Sequence, residues 1–133
     1  MILLDTSFII AYYSERDKNH ARAKELMKGL VDGTYGPMAI TDYVFDETVT
    51  GFLKTEGVSG ASKLGTTLLA SLKLFNTTPE EFDAAWELFK SQRKSLLSFT
   101  DCTIVTAMRA NAIAKLASFD EDFESFNDIT VIS

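Results

Sequence analysis

A chain of 133 residues with 46% hydrophobic residues has the length and apolar content of one globular domain, and we expect a single domain over residues 1–133. No stretch is long and apolar enough to cross a bilayer, and the N-terminal apolar run is too short for a signal peptide. The single cysteine, Cys102, and the single histidine, His20, exclude an internal disulfide and a zinc site of the Cys/His type. A cytoplasmic protein with no membrane partner is expected.

The net charge of −6 argues against a polyanionic partner, but the strength of this argument depends on where the acids lie. If five of the 19 acids surrounded divalent cations, the other 14 would almost balance the 13 lysines and arginines. The acidic composition is therefore weak evidence against a nucleic-acid substrate.

Five short apolar runs along the chain predict five β-strands. These runs are Ile2–Leu4, Met38–Ile40, Leu72–Phe75, Ile113–Ser118 and Ile129–Ile132. Asp5 stops the first run, and Thr6 and Ser7 after it predict a polar loop.

Amphipathic spacing predicts helices between these strands. The predicted helices are Asp17–Leu30, Asp42–Leu53, Ala61–Ala70, a segment from Pro79 to about Lys94, and one that begins after Thr100. Thr41, Thr78 and Thr100 are expected to cap helices, and Gly57 and Gly60 to separate two of them. Strands that alternate with helices predict an α/β fold, a doubly wound parallel sheet of about five strands with helices on both faces.

Acidic residues follow two of the predicted strands. Asp5 comes directly after the first strand, and Asp120 and Asp122 come after the fourth. Because the carboxyl ends of parallel strands open on one edge of a sheet, these carboxylates are expected to lie at the same edge, where ligands bind. Asp is also a common cap and turn residue, so spacing alone leaves a structural role open.

Two further acids lie in predicted helices. Asp101 stands in the first helical turn after Thr100, where a negative charge also suits the helix dipole. Glu47 shares a helix face with Val44 and Gly51, and taken alone it is better explained as a half-exposed helical residue. Carboxylates packed together without cations would repel each other, whereas Mg²⁺ and Mn²⁺ prefer such hard oxygen ligands.

Four segments resemble the PIN domain family, and within it the toxins of VapBC-type toxin–antitoxin pairs. They read MILLDTSFII at residues 1–10, TDYVFDETV at 41–49, SFTDCTIVTA at 98–107 and ASFDEDF at 117–123. The resemblance implies a PIN-like fold and metal-dependent cleavage of RNA to products with a 5′-phosphate and a 3′-hydroxyl. It implies a quartet of catalytic, metal-binding acids: Asp5, Glu47, Asp101 and Asp120. Thr6 would be a polar neighbour of this quartet, and Asp122 a supporting metal ligand.

The same resemblance implies a cofactor and partners. The cofactor is Mg²⁺ or Mn²⁺, and the partners are an RNA substrate, an antitoxin protein and a second copy in a homodimer. Asp5 and Asp101 are expected to bind the metal directly, and Glu47 and Asp120 to hold its waters or a second ion. Residues 57–94 carry no family segment and are expected to set substrate choice.

Two other classes of protein also have a doubly wound sheet with acids at its carboxyl edge. Receiver domains resemble the chain in sheet order, but they need paired acids after the first strand and a lysine after the last. Phosphatases of the haloacid-dehalogenase type need a second Asp two residues after Asp5, where Ser7 stands. A catalytically silent PIN-like scaffold that only binds a partner is a further alternative, beside a Mg²⁺-binding domain of the receiver or phosphatase type.

Several chemically active residue types are expected to lie outside the site. We expect Cys102 to be a buried filler, His20 to cap a helix or contact a partner, and Trp86 with the phenylalanines at helical spacing to be core. Two basic stretches are interpreted as solvated faces at least as readily as RNA contacts: Arg16, Lys18, Arg22, Lys24 and Lys28, and Lys90, Arg93 and Lys94.

Overall fold

Short strands and helices alternate along the chain in the computed structural model, which describes residues 1–133. The strands are β1 (Ile2–Leu4), β2 (Met38–Thr41), β3 (Lys73–Phe75), β4 (Lys115–Ala117) and β5 (Thr130–Ile132). The helices are α1 (Thr6–Tyr13), α2 (His20–Val31), α3 (Asp42–Ser71), α4 (Pro79–Ser91) and α5 (Phe99–Ala110), with a 3₁₀ helix at Glu121–Ser125. None of the helices combines the length and the apolar character needed to span a bilayer.

The five strands form one parallel sheet in the order β3-β2-β1-β4-β5. All three residues of β1 are buried, and because neighbouring side chains of a strand point to opposite faces, both faces of the sheet are covered at its centre. The α/β fold with a five-stranded parallel sheet is confirmed. The sheet order differs from the 2-1-3-4-5 order of receiver domains, so the expected resemblance to receivers in sheet order is wrong.

The order of the strands reverses next to β1. The chain runs from β1 outward through β2 to β3, and then returns to place β4 on the other side of β1. The amide of Asp5 donates to the carbonyl of Ala117 (3.0 Å), so the pairing of these two strands continues to their carboxyl ends. In sheets of this kind, the carboxyl edge at such a reversal forms a crevice where ligands bind.

Helix α1 replaces the polar loop predicted after the first strand. Its residues Phe8, Ile9 and Ala11 are buried in the core, so tertiary packing fixes the helix despite its short length. The loop prediction is wrong because Thr6 and Ser7, the two polar residues on which it depended, form the first turn of the helix.

The predicted helix caps were mostly correct. Thr41 accepts the amide of Val44 (3.2 Å) and Thr78 that of Glu81 (3.1 Å), as expected from their positions. Ser98, and not Thr100, caps α5: it accepts the amide of Asp101 (3.0 Å), while the Asp101 carboxylate accepts the amide of Ser98 (2.8 Å).

The predicted break in the middle of the chain is a kink inside α3. Gly57 has φ of 72°, a backbone conformation that residues with a Cβ rarely adopt, and the helix continues on both sides of it. Gly60 lies within the helix and does not break it.

The prediction that the aromatic residues of α4 belong to the core is wrong. Phe82, Trp86 and Phe89 are 45%, 47% and 38% exposed, and Ala85 is the buried residue of this helix. We call the first three the aromatic face. Trp86 stacks on Phe89 with ring centres 5.6 Å apart, and all three rings contact Phe99 of α5. Helical spacing shows that they share a face but not what covers it.

Candidate active site

Asp5 is held at the carboxyl end of β1 by two hydroxyl groups. Ser7 Oγ donates to Asp5 Oδ2 (2.6 Å), and Ser118 Oγ donates to the same oxygen (2.7 Å). Ser7 also accepts the amide of Phe119 (3.0 Å), and Ser118 accepts the amide of Asp120 (3.0 Å). The two serines therefore tie the segment after β4 to the carboxylate after β1.

Asp5 is buried, with 3% of its surface exposed. Burial raises the pKa of its carboxyl, while the hydrogen bonds from Ser7 and Ser118 act in the opposite direction. A buried carboxylate without a positive partner lowers the stability of the folded protein. Side chains kept in such an environment are common at functional sites.

Asp101 adds a second carboxylate, from the first turn of α5. Burial raises the pKa of Asp101 to about 7, the amide of Ser98 opposes this rise, and the negative charges of Asp5 and Asp120 add to it. The electrostatic coupling shows that Asp5, Asp101 and Asp120 lie in one neighbourhood, although they are far apart in sequence.

Asp120 and Asp122 lie together after β4. Asp120 Oδ1 accepts the amide of Asp122 (2.9 Å), which starts the 3₁₀ helix. Both side chains line a cavity of about 560 Å³, and Ser7, which binds Asp5, lines it too. The carboxyl edge of β1 and β4 is therefore an open, acidic crevice.

Glu47 is the one member of the predicted quartet that the structure does not couple to the others. It is exposed on α3, forms no hydrogen bond or ion pair, and is absent from the charges that raise the pKa of Asp101. Its neighbour Asp46 is also exposed, and its carboxylate accepts a hydrogen bond from Thr50 (3.3 Å).

The carboxylate oxygens of these acids are ligands that a divalent cation prefers, but the side chains are not arranged as a coordination sphere. No three or more His, Cys, Asp or Glu side chains are grouped closely enough to hold a metal ion. However, the donors are hard carboxylate oxygens that repel each other, and the buried hydroxyls of Thr6 and Thr48, directly after Asp5 and Glu47, lack any hydrogen-bond partner. A divalent cation would relieve the mutual repulsion of these carboxylates.

Ser7 and Ser118, whose hydroxyls both donate to Asp5, were not predicted from the sequence. Their signal was present, because Ser118 directly follows β4 just as Asp5 directly follows β1. Two other expectations agree with the structure. Cys102 is fully buried, with the pKa of its thiol raised to about 11 by burial and by the charge of Asp101, and His20 Nδ1 donates to the Ala11 carbonyl (2.8 Å).

The raised pKa of Asp101 predicts how stability changes with pH in metal-free protein. The pKa of Asp101 is raised from its ordinary value of 3.8 to about 7. Between these two pH values, Asp101 is more protonated in the folded protein than in the unfolded chain. The free energy of unfolding should therefore fall as the pH rises through this window, and Asp5 acts in the same direction. Urea unfolding in EDTA between pH 5 and pH 8 should show a smaller fall for Asp101→Asn than for the wild type. An equal fall in the two proteins would contradict the coupling; Asp46→Asn, on the exposed side of α3, serves as the control.

The fold and the acidic crevice together define the class of the protein. The sequence profile of the PIN domain family matches residues 2–129. The chain therefore belongs to the PIN domain family, as its four segments suggested.

Relatives with known names extend over nearly the whole chain. It is 28% identical over 133 residues to the 23S rRNA-specific endonuclease VapC20 of Mycobacterium tuberculosis, with 98% of both chains covered. It is also 28% identical over 123 residues to a VapC ribonuclease of Archaeoglobus fulgidus, with 91% of this chain and 78% of that protein covered.

Solved structures agree with these sequence relatives. The crystal structure of M. tuberculosis VapC20, described as a sarcin–ricin loop cleaving toxin, superposes with a TM-score of 0.83 at 26% identity and 94% coverage of both chains. VapBC2 of Rickettsia felis, solved bound to a DNA fragment of its promoter, has the same fold, with a TM-score of 0.72, 17% identity and coverage of 99% and 98%.

Proposed function

We propose that this protein is a divalent-metal-dependent endoribonuclease of the toxin type, with Asp5, Glu47, Asp101 and Asp120 as its catalytic acids. The main support is the coupled set of carboxylates of Asp5, Asp101 and Asp120 at the carboxyl edge where the strand order reverses. The PIN family match and the ribonuclease relatives, each aligned over more than 90% of this chain, agree with this assignment.

The positions of Asp5, Asp101 and Asp120 support a role for each, and membership of the PIN domain family supports a role for Glu47. Asp5, fixed by two serine hydroxyls, and Asp101, fixed by the Ser98 amide, would bind Mg²⁺ or Mn²⁺ directly. Asp120 and Glu47 would orient metal-bound waters or a second ion, and Asp122 would support Asp120. When bound, a divalent cation supplies Lewis-acid chemistry, which activates water and neutralises charge on a phosphate.

Cleavage of RNA by the purified protein tests this function directly. We expect a structured ribosomal RNA fragment to be cut internally in Mg²⁺ or Mn²⁺ and to remain intact in excess EDTA, because the acids alone offer no positive charge to the phosphate. The products should carry a 5′-phosphate and a 3′-hydroxyl, measured by end-labelling. A catalytically silent scaffold would cleave no RNA in any of these ions, and that result would overturn the proposal.

An antitoxin is the proposed protein partner. Support comes from the VapBC relatives, whose fold this chain shares, and from the toxin description of VapC20. We expect the product of a small neighbouring gene to co-purify with the protein and to inhibit its RNA cleavage. Since ribosomal RNA is cytoplasmic, the enzyme would act in that compartment.

A homodimer is the proposed assembly, with the aromatic face as its contact. Three large aromatic side chains next to one another on one exposed helix face are unusual for a monomer and typical of interfaces, where Trp and Phe are enriched. We expect Trp86→Ala to weaken self-association by at least about tenfold, measured by sedimentation equilibrium. The exposed Leu69→Ala on α3 is a matched control. A wild-type protein that stays monomeric at all concentrations would refute the dimer.

A further inference from the structure

Lys18 is the one cation in the wall of the acidic crevice. The cavity of about 560 Å³ beside the candidate active site is lined by Asp120, Asp122 and Ser7, and Lys18 is its only basic residue. The other members of the same basic stretch do not line it. The structure therefore separates Lys18 from four lysines and arginines that look equivalent in the sequence.

The backbone holds Lys18 in this position. Asp17 Oδ1 accepts the amide of Asn19 (2.8 Å), and the Asp17 carbonyl accepts the amide of His20 (3.0 Å), so Lys18 lies inside a closed turn. The turn is fastened to α1 because the His20 ring binds the Ala11 carbonyl. A side chain that leaves from a fixed turn keeps its direction better than one from a mobile loop.

The ammonium group of Lys18 has no partner within the protein. The ion pairs of the chain join Arg22 to Glu25, Lys90 to Glu87 and Arg109 to Asp128, and none of them includes Lys18. Lys18 therefore stands exposed and unpaired beside four acids of the cavity wall: Asp17, Asp120, Glu121 and Asp122. Its positive charge remains available for a ligand.

We propose that Lys18 binds a phosphate of the RNA substrate in this crevice. It would thereby strengthen substrate binding without taking part in the chemical step. This inference rests on the proposed ribonuclease function. An acidic crevice repels a phosphodiester chain, and a cation that shares its wall offsets this repulsion at one defined phosphate. The ligand is thus an RNA phosphate, contacted by an ammonium point charge.

Steady-state cleavage kinetics of Lys18→Ala test the assignment. Loss of one charged contact should raise KM about tenfold and leave kcat within about twofold of wild type. The slope of log kcat/KM against log salt concentration should become shallower by about 0.7, the value for one phosphate of a single strand. Lys18→Arg keeps the charge and should stay near wild type, while Lys24→Ala on the exposed side of α2 should change neither quantity.

Failure of this inference differs from failure of the function. If the wild type cleaves RNA and Lys18→Ala keeps the wild-type KM and salt slope, the phosphate contact is refuted and the ribonuclease stands. If Lys24→Ala raises KM as much as Lys18→Ala does, the effect is one of general charge, which also refutes it. Absence of cleavage by the wild type overturns both together.

Discussion

Asp5→Asn and Asp101→Asn should each lower divalent-dependent RNA cleavage by at least about 100-fold, since even groups that only support metal ligands cost 10- to 100-fold when removed. Asn keeps the shape of the side chain and removes its charge. The two donors to Asp5 Oδ2, Ser7 and Ser118, would still find an oxygen acceptor. The loss should therefore be one of metal binding and not of folding.

Thermal unfolding separates these two explanations. Without metal, both variants should be at least as stable as the wild type, because burial disfavours the charged forms of Asp5 and Asp101, and the charges of Asp5 and Asp120 further disfavour that of Asp101. Millimolar Mn²⁺ should raise the Tm of the wild type more than that of Asp101→Asn, since a ligand that binds only the folded state stabilises it. Asp46→Asn is the matched control, an exposed acid of α3 that should keep both activity and the metal-dependent rise in Tm. Wild-type cleavage in both active-site variants would refute the assignment.

The strands were predictable because their signal is local. Each of the five is a short apolar run, and in the central strand β1 every residue is buried, which leaves little room for another interpretation. Their ends were less certain: β4 begins at Lys115 and β5 at Thr130, because Ile113 and Ile129 are buried in the core without entering the ladder. An apolar residue before a strand satisfies the same pattern as one inside it.

Features that depend on the rest of the fold were not predictable. Helix α1 is apolar on almost every face, so it shows no helical periodicity, and burial against the core determines its conformation. For the cap of α5, Ser98 and Thr100 both have suitable side chains. The reciprocal hydrogen bond with Asp101 selects Ser98.

Some residues of the candidate site were likewise predictable from the sequence, and others were not. Asp5 and Asp120 were predictable because a carboxylate that follows a buried strand of a parallel sheet within a few residues lies at the carboxyl edge of that sheet. The hydroxyls of Ser7 and Ser118 were not, since serine is common in turns and its role here depends on two segments that meet only in the folded chain. Lys18 likewise differs from its basic neighbours only through the turn that holds it.

In two pairs of neighbouring acids, the two members are expected to differ in their importance for catalysis. Glu47 and Asp46 are adjacent on α3, so their side chains point about 100° apart and only one can face the crevice. The Asp46 carboxylate is already bound by Thr50, whereas Glu47 is free to turn towards an ion. Asp120 is coupled to Asp101, while Asp122 lines the same cavity two residues further along the chain.

We therefore expect Glu47→Gln and Asp120→Asn each to reduce kcat for RNA cleavage by roughly 10- to 100-fold, because each removes a charge that orients metal-bound water. Asp122→Asn should cause a smaller loss, of less than about tenfold, because the charge of Asp120 remains beside the ion. Asp46→Asn should cleave like the wild type. Single-turnover rates at saturating Mn²⁺, compared with rates at a tenfold lower concentration, distinguish a loss of metal affinity from a loss of the chemical step. If Asp46→Asn lost as much activity as Glu47→Gln, the acid that faces the crevice would be Asp46, and the role given to Glu47 would be wrong.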